Sequence, residues 1–457
     1  MNPGAAAGVG QPGDTIVAVA TPPGMGALAI VRISGPRAYA IARNHIQTWP
    51  SEARATQLST VHNLGDVLDH SLVTLFPGPN SFTGDDTVEI STHGGYLVPA
   101  SVVAALISSG ARQALPGEYT RRAVLNGKLD ILQAEAIGDL IDAQSHAMQH
   151  TALGQLDGGL SRRLLQLRED LVGLESLIAY DIDFPEEDDG PVPREKIEGT
   201  IAKLITSLEA LLATAPAGEL IREGAIVVIA GPPNAGKSSL FNSLLGKSRA
   251  IVTEIPGTTR DALEAVVDSG KWPLRLVDTA GLRHTVDPIE LLGIEVSERY
   301  LASAAVVLAC AEHSEGLEQT IGSVSLKSSA PVIAVRTKAD LASARDNLNR
   351  NGVVQVSANT GEGLHELLDA INHAIASKYG EATPDIPMLT RARHRQALTG
   401  ALAESRQFQQ AWREDKLPAP VASVHLRAAV CALEELIGAV DVEDVLDRVF
   451  SSFCVGK

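Results

Sequence analysis

The amino-acid sequence predicts a multidomain protein that joins α+β and α/β parts. A small α+β domain comes first, then a helical domain split into two pieces, with an α/β domain inserted between the pieces. Three observations carry this reading. From Asp14 to about Arg122, short β-type runs alternate with Pro-Gly turns; after Asn126 the apolar residues repeat with a helical period; and near residue 231 a glycine-rich loop stands between an apolar run and a helical segment. At 457 residues the chain exceeds one ordinary core, and a length prior gives roughly three domains.

Each element follows in order. Residues 1–13 are rich in Gly, Ala and Pro, have no periodicity and read as a flexible end. Residues 14–125 form the N-terminal domain, with strands expected at Ile16 to Ala20, Ala27 to Ile33 and Thr87 to Thr92 and turns at Thr21-Pro-Pro-Gly24 and Phe76-Pro-Gly-Pro-Asn80. Residues 126–222 form the first part of the helical domain. There Leu160, Leu164, Leu167, Leu171, Leu174 and Leu177 recur at steps of four and three, one apolar stripe of a packed helix, and a further helix runs from Ile197 to Thr214. Residues 223–380 form the α/β domain. Residues 381–457 begin with the proline-containing linker Ala382 to Pro387 and return to helix at Arg391 to Arg413 and Val424 to Ile437, completing the helical domain.

The α/β domain carries the most specific chemistry. Gly231-Pro-Pro-Asn-Ala-Gly-Lys-Ser238 follows the apolar run Ala225 to Ala230 and precedes the helical segment Ser239 to Leu245. That is the strand, loop and helix context of a phosphate-binding loop, whose backbone N–H groups surround the phosphates while the lysine reaches the β- and γ-oxygens and the hydroxyl binds Mg²⁺. Downstream, the strand Leu274 to Val277 ends in Asp278-Thr-Ala-Gly281, where Asp278 can hold Mg²⁺ through water and Gly281 can reach the γ-phosphate. Between them, Gly257-Thr-Thr-Arg-Asp261 supplies a threonine hydroxyl for the metal, Thr259, and a segment able to order when the γ-phosphate is present. The strand Pro331 to Val335 then runs into Thr337-Lys-Ala-Asp340. Asp340 can accept from both N1–H and the exocyclic amine of guanine, a pair adenine does not offer. Ser357-Ala-Asn within Val354 to Gly363 fits the last base-contacting loop. Singly these later elements are commonplace; in this order they predict a Ras-like P-loop GTPase domain. Thr337 stands where many such proteins carry Asn, and a threonine keeps a local hydrogen bond, so guanine selectivity is expected to survive.

Composition narrows the class. The hydrophobic fraction of 45% is globular, and the net charge of −17 argues against a wholly basic, nonspecific nucleic-acid binder while leaving room for RNA held by a local patch. The three cysteines, Cys310, Cys431 and Cys454, lack metal-ligand spacing, and an odd count with no secretory leader points to a reducing cytoplasm. No apolar run approaches the roughly 20 residues of a membrane span. The acidic run Asp181 to Asp189 reads as a solvated helix terminus rather than a metal site. The tail Phe453-Cys-Val-Gly-Lys457 does not suit a prenylation box.

The GTPase domain embedded in helices, the terminal Cys-Val-Gly-Lys, and the segments Asp14-Thr-Ile-Val17, Thr21-Pro-Pro-Gly24 and Pro116-Gly-Glu-Tyr119 together resemble the MnmE (TrmE) family of tRNA-modification GTPases. The resemblance covers nearly the whole chain from Asp14 to Lys457. It implies an N-terminal domain similar to folate-dependent aminomethyltransferases, which also dimerises. Arg32, Glu89, Lys128 and Lys457 would contact a formyl- or methylene-tetrahydrofolate, and Cys454 is a candidate thiol. It implies a GTP site made of Asn234, Ala235, Gly236, Lys237, Ser238 and Ser239, of Thr253, Glu254, Ile255, Pro256, Gly257, Thr258 and Thr259, of Asp278, Thr279, Ala280 and Gly281, and of Thr337, Lys338, Asp340, Ser357 and Ala358. Mg²⁺ would use Ser238, Thr259 and, through water, Asp278; K⁺ would use Asn234, Thr253, Ile255 and Thr258.

Lys237 and Glu290 would be the catalytic groups for hydrolysis. After Asp-Thr-Ala-Gly stands Leu282, where Ras-like proteins carry a water-orienting glutamine; leucine cannot orient water, and the family uses a later glutamate, here Glu290. The resemblance further implies a K⁺-stimulated homodimer that works with an FAD-containing MnmG-like partner on the wobble uridine of certain tRNAs. A ribosome-assembly switch GTPase shares the same nucleotide motifs but not the tail or the folate-type domain. A folate-binding adaptor with a degenerate GTPase domain is the third reading.

Overall fold

The computed structural model describes residues 13–183, 193–247, 263–278, 298–341, 352–381, 386–414, 419–438, 453, 455 and 456. By its contacts the chain divides into two compact units: Met1–Gly138 with Ile437–Lys457, and Asp139–Leu436. The helical and α/β parts expected as separate domains thus share one unit.

The first unit is built on a six-stranded sheet in the order β3-β4-β5-β2-β1-β6. Its strands are β1 (Ile16–Val19), β2 (Leu28–Ser34), β3 (Thr56–Asn63), β4 (Asp66–Phe76), β5 (Thr87–His93) and β6 (Arg112–Gln113). The pairings are antiparallel except for the short parallel pair β1–β6. Alternation decides which residues line each face. Val31, Ile33, Val61, Val73, Leu75, Val88 and Ile90 are buried and pack with residues of α1 (Ala38–Arg43) and α2 (Leu97–Ser108), namely Ile41, Ala42, Val102 and Leu106. The alternate residues, among them Arg32 and Glu89, fall on the opposite face. There Tyr119 of α3 (Glu118–Leu125) packs with Ile16, Ala18 and Ala114. A helix α4 (Ile131–Asp142) follows. The chain end also belongs to this unit: Val455 forms a bridge with Pro116, and a Cβ on Gly456 would lie 2.4 Å from the Val19 carbonyl, so backbone meets backbone there.

An ion-pair network fixes α3 at its start. Glu118 is buried and accepts from Arg112 Nη2 (2.7 Å), Arg122 Nη2 (3.0 Å) and the Leu115 N–H (2.8 Å). Burial alone would raise its carboxyl; the Arg112 and Leu115 hydrogen bonds and the charges of Arg112 and Arg122 outweigh that and hold it below the usual carboxylate range.

In the second unit, α5 (His146–Leu156) is capped by Ser145, whose Oγ accepts from the Met148 N–H at 3.2 Å. The long α6 (Gly159–Asp183) buries Leu160, Leu164, Leu167, Leu171 and Leu174. At the next turn Ile178 is fully buried in place of the expected Leu177, which is only half-buried; position 178 keeps the alternation of four and three and lies five turns of 3.6 residues beyond Leu160. The acidic run expected as a helix terminus lies, from Phe184 onward, outside the described residues. Next come α7 (Arg194–Leu212) and α8 (Ala215–Glu223). The stretch Arg194–Glu223 is long and apolar enough to cross a membrane by length and composition alone, but Ile197, Ile201, Leu204 and Leu208 are buried within the unit, as in a core helix.

The α/β part is a second six-stranded sheet, β12-β11-β10-β7-β9-β8. Its strands are β7 (Ala225–Ala230), β8 (Leu263–Asp268), β9 (Pro273–Asp278), β10 (Val306–Ala311), β11 (Val332–Arg336) and β12 (Val353–Gln355), parallel except for β8 against β9. Helices α9 (Lys237–Lys247), α10 (Ser314–Ser325) and α11 (Leu364–Tyr379) accompany it. Both faces of the central strands are buried, which is why β7 and β10 read as continuous apolar runs. Helices α12 (Ala392–Glu414) and α13 (Ala419–Ile437) follow.

The chain crosses between helical and α/β parts twice, and the crossings are tied together. Asp139 Oδ1 accepts from Arg222 Nε (3.0 Å) on the way in and from Arg391 Nη2 (2.7 Å) on the way out. Gln155 Nε2 donates to the Met388 carbonyl (3.1 Å), and the Leu389 N–H donates to Thr214 Oγ1 (3.1 Å). Gly218 is required here, since a Cβ would lie 2.3 Å from the Leu389 carbonyl oxygen.

Candidate functional site

The parallel sheet places its loops at the carboxyl ends of the strands, where ligands bind in open α/β folds. β7 delivers the chain into the loop at Gly231. A side chain there is excluded, because a Cβ would stand 2.2 Å from the Cys310 carbonyl oxygen on neighbouring β10. Asn234 and Gly236 adopt left-handed φ values of 62° and 76°, curling the loop before α9 starts at Lys237. Lys237 is buried, and its ammonium donates to the Pro232 carbonyl at 2.8 Å, arching across the loop. Beneath lies Cys310. Burial pushes its thiol up to about 12 despite the lowering influence of Lys237, so it adds no charge under the phosphates.

Ser238 Oγ, in the first turn of α9, donates to Asp278 Oδ2 at the tip of β9 at 2.6 Å. The structure therefore brings together two of the three residues expected to serve Mg²⁺. A hydroxyl and a carboxylate in contact form a hard-oxygen set of the kind Mg²⁺ accepts when phosphates and water complete its shell. This fits a metal held jointly with substrate. Among the described residues no group of three or more His, Cys, Asp and Glu forms a separate metal site.

The base side is equally built. Gly236, Ser239, Leu240, Thr337, Lys338, Asp340, Leu341, Val356, Ala358 and Asn359 line a cavity of about 160 Å³. Asp340 Oδ1 accepts from Ser357 Oγ (2.8 Å) and Oδ2 from Asn359 Nδ2 (3.3 Å). The Ser357 hydrogen bond first, then the backbone N–H of Asp340 itself, with a smaller share from Asn359, hold the Asp340 carboxyl below its usual range. Thr337 was expected to keep a local bond; instead its buried hydroxyl donates to the distant Ala235 carbonyl at 2.7 Å, tying the end of β11 to the phosphate loop. Glu312 was not evident from motif spacing. It follows β10, and its Oε2 accepts from Lys338 Nζ at 2.9 Å.

The candidate residues Thr253, Glu254, Ile255, Pro256, Gly257, Thr258, Thr259, Thr279, Ala280, Gly281 and Glu290 lie outside the described residues, as do Cys454 and Lys457.

In the first unit Arg32 and Glu89 are direct cross-strand partners on β2 and β5, joined through Glu89 Oε1 by Arg32 Nε (2.9 Å) and Nη2 (2.7 Å). The guanidinium lies 5.8 Å from the Phe82 ring and 5.6 Å from the Tyr119 ring, and the Tyr119 hydroxyl donates to the Arg32 carbonyl at 2.6 Å. Lys128 is exposed on the turn after α3 and shares no hydrogen bond or ion pair with Arg32 or Glu89 among the described residues. The pair is largely buried, and both aromatic rings lie against its guanidinium.

Strand, loop and helix at the carboxyl edge of a parallel sheet, with hydroxyl and carboxylate meeting at the loop, define a phosphate-loop nucleotide-binding protein. Comparison with known proteins carries this further. The family model described as the MnmE helical domain matches residues 131–454, and that described as the GTP-binding protein TrmE N-terminus matches residues 15–128. A protein of Heliobacterium modesticaldum, "tRNA modification GTPase MnmE", is 40% identical over 97% of this chain and 100% of its own length; one of Moorella thermoacetica with the same name is 39% identical over 97% and 99%. The chain belongs to the MnmE family of tRNA modification GTPases. Among solved structures, the G domain of the T. maritima FeoB iron transporter is 30% identical, covering 33% of this chain and 98% of that one, with a TM-score of 0.27.

Proposed function

We propose that this chain hydrolyses GTP and acts in tRNA modification. Together with an FAD-containing MnmG-like partner, it would modify C5 of the wobble uridine with a one-carbon unit from formyl- or methylene-tetrahydrofolate. The observation that carries the reading is the junction of Lys237, Ser238 and Asp278 at the mouth of β7, next to a base cavity whose Asp340 is oriented by Ser357.

In this reading the ammonium of Lys237 leaves the Pro232 carbonyl for the β- and γ-phosphate oxygens, and the curled loop directs backbone N–H groups at the same oxygens. Ser238, Thr259 and, through water, Asp278 would hold Mg²⁺, which would supply positive charge where negative charge builds up on the transferring phosphoryl group. Asp340 reads the guanine N1–H and amino group. Glu290 orients the attacking water, in the role a glutamine plays in Ras-like proteins. Asn234, Thr253, Ile255 and Thr258 hold K⁺, adding the charge that an arginine finger provides elsewhere, an effect of roughly 10³- to 10⁵-fold in rate for the finger.

The remaining assignments belong to the same reading. The protein is a cytoplasmic homodimer paired through its N-terminal domain, with the domain boundaries anticipated from the sequence. Arg32, Glu89, Lys128 and Lys457 hold the folate, a role supported by the placement of Val455 beside Pro116 and of Gly456 against Val19 in the unit that carries Arg32. Cys454 is the candidate thiol at that site.

Turnover of GTP by the purified protein in KCl and in NaCl of matched ionic strength, at fixed Mg²⁺, tests the reading. Faster turnover in K⁺, lost in Glu290→Ala, is the expected result. Equal, slow rates in both salts would overturn the K⁺-dependent mechanism and favour the ribosome-assembly or adaptor classes.

A further inference from the structure

Glu312 lies outside every nucleotide-binding motif, yet it is joined to one. It immediately follows β10, and its backbone carbonyl accepts from Arg336 Nε at 3.3 Å, which fixes the residue beside the end of β11. Its carboxylate accepts from Lys338 Nζ at 2.9 Å, and that bond, with the Lys338 charge behind it, holds the Glu312 carboxyl below its usual range. The other carboxylate oxygen lies 4.0 Å from His313 Nε2.

Lys338 itself is constrained at both ends. Its backbone is left-handed at φ 57°, a conformation that non-glycine residues seldom adopt, and its ammonium is held by Glu312. Between these fixed points runs the methylene stem, and Lys338 lines the base cavity with Leu240, Leu341 and Val356. A lysine stem is an apolar surface with a charged tip. Pinned, it is a flat wall suited to the face of a purine. Released, the ammonium sweeps through many rotamers, and a ligand must pay to order it on binding.

We propose that Glu312 is a positioning residue for the nucleotide base: by anchoring the Lys338 ammonium it holds the lysine stem as one wall of the base cavity and slows nucleotide release. This rests on the reading of that cavity as the guanine site.

The test is release of a fluorescent GDP analogue from the full-length protein, with KM and kcat for GTP measured alongside, for wild type, Glu312→Gln, Glu312→Asp, Lys338→Met and the double variant Glu312→Gln/Lys338→Met. Glu312→Gln should raise the release rate several-fold, about 3- to 10-fold for the loss of one partly exposed charge-assisted bond. KM should rise in proportion, whereas a general structural defect would lower kcat as well. Glu312→Asp, with its shorter reach, should fall between wild type and Glu312→Gln. Lys338→Met keeps the stem and removes the charge, so in its background Glu312→Gln should have no further effect.

Unchanged release in both Glu312 variants, or effects that add in full in the double variant, would overturn the proposal while leaving the guanine site intact. Failure of the wild type to prefer GDP over ADP would overturn the guanine reading and the proposal together.

Discussion

The two sheets carry their candidate sites in different ways. In the first unit, Arg32 and Glu89 project from the middle of adjacent antiparallel strands, so the site lies on the face of the sheet. In the second, both faces of the parallel strands are buried, and the functional side chains stand beyond the strand ends: Lys237 after β7, Asp278 at the tip of β9, Thr337 and Asp340 after β11. An antiparallel sheet can leave one face open; a parallel sheet fed by crossover helices cannot. The face-mounted site is therefore bound up with strand pairing and with the stability of its unit. The edge-mounted site can change its chemistry while the sheet stays as it is.

That difference can be broken or sharpened by substitution. The largest effect is expected from Asp340→Asn, which replaces one of the two acceptor oxygens with an NH₂ donor facing the guanine amine and should weaken guanine nucleotides on the order of 10³-fold or more while admitting xanthine nucleotides, whose C2 carbonyl suits the new amide donor. Competition between GDP and XDP measures it, and the melting temperature should move little, since one amide oxygen remains to accept from Ser357 and the Asn359 bond is long and exposed. A comparable loss of stability would show that the strand-end site is as tightly coupled to its sheet as the face-mounted one.

In the first unit, Arg112→Ala leaves buried Glu118 with Arg122 as its remaining cationic partner. A fully buried pair broken in this way costs about 3–5 kcal/mol, and with Arg122 still present about 2 kcal/mol is expected in urea unfolding of the intact protein. The same carboxyl sets a pH dependence. Its folded pKa lies below the ordinary value, so its contribution is complete above the unfolded pKa, about 4.3, and fades as pH falls through the folded value. Stability should therefore fall on acidification below about pH 4 in the wild type, and less steeply in Glu118→Gln.

The smallest effect belongs to Thr337→Val, which keeps the shape and removes the bond to the Ala235 carbonyl. About 1 kcal/mol should be lost in thermal unfolding, with nucleotide release quickened, and Thr337→Ser should retain most of both.

The strand runs, the long leucine-striped helix and the phosphate loop were legible because each rests on local periodicity or on one contiguous motif. For Thr337 the sequence offered only a local hydrogen bond, and its tie to the phosphate loop, 102 residues away, came from the fold. The Arg112–Glu118–Arg122 network and the Glu312 anchor were not legible, because they join residues whose proximity only the folded backbone creates. The exchange of Leu177 for Ile178 has a simpler origin: the expected stripe took two steps of three in succession, 171 to 174 to 177, and so fell short of a helix with 3.6 residues per turn.

One carboxylate, Asp139, grips both crossings of the chain. The inserted domain is thus attached to its host as a stem is to a branch, by two neighbouring strands of backbone pinned at a common point. Parting the strands would break both ion pairs. Loss of this single carboxylate would therefore unfasten the entry and the exit of the inserted domain at once.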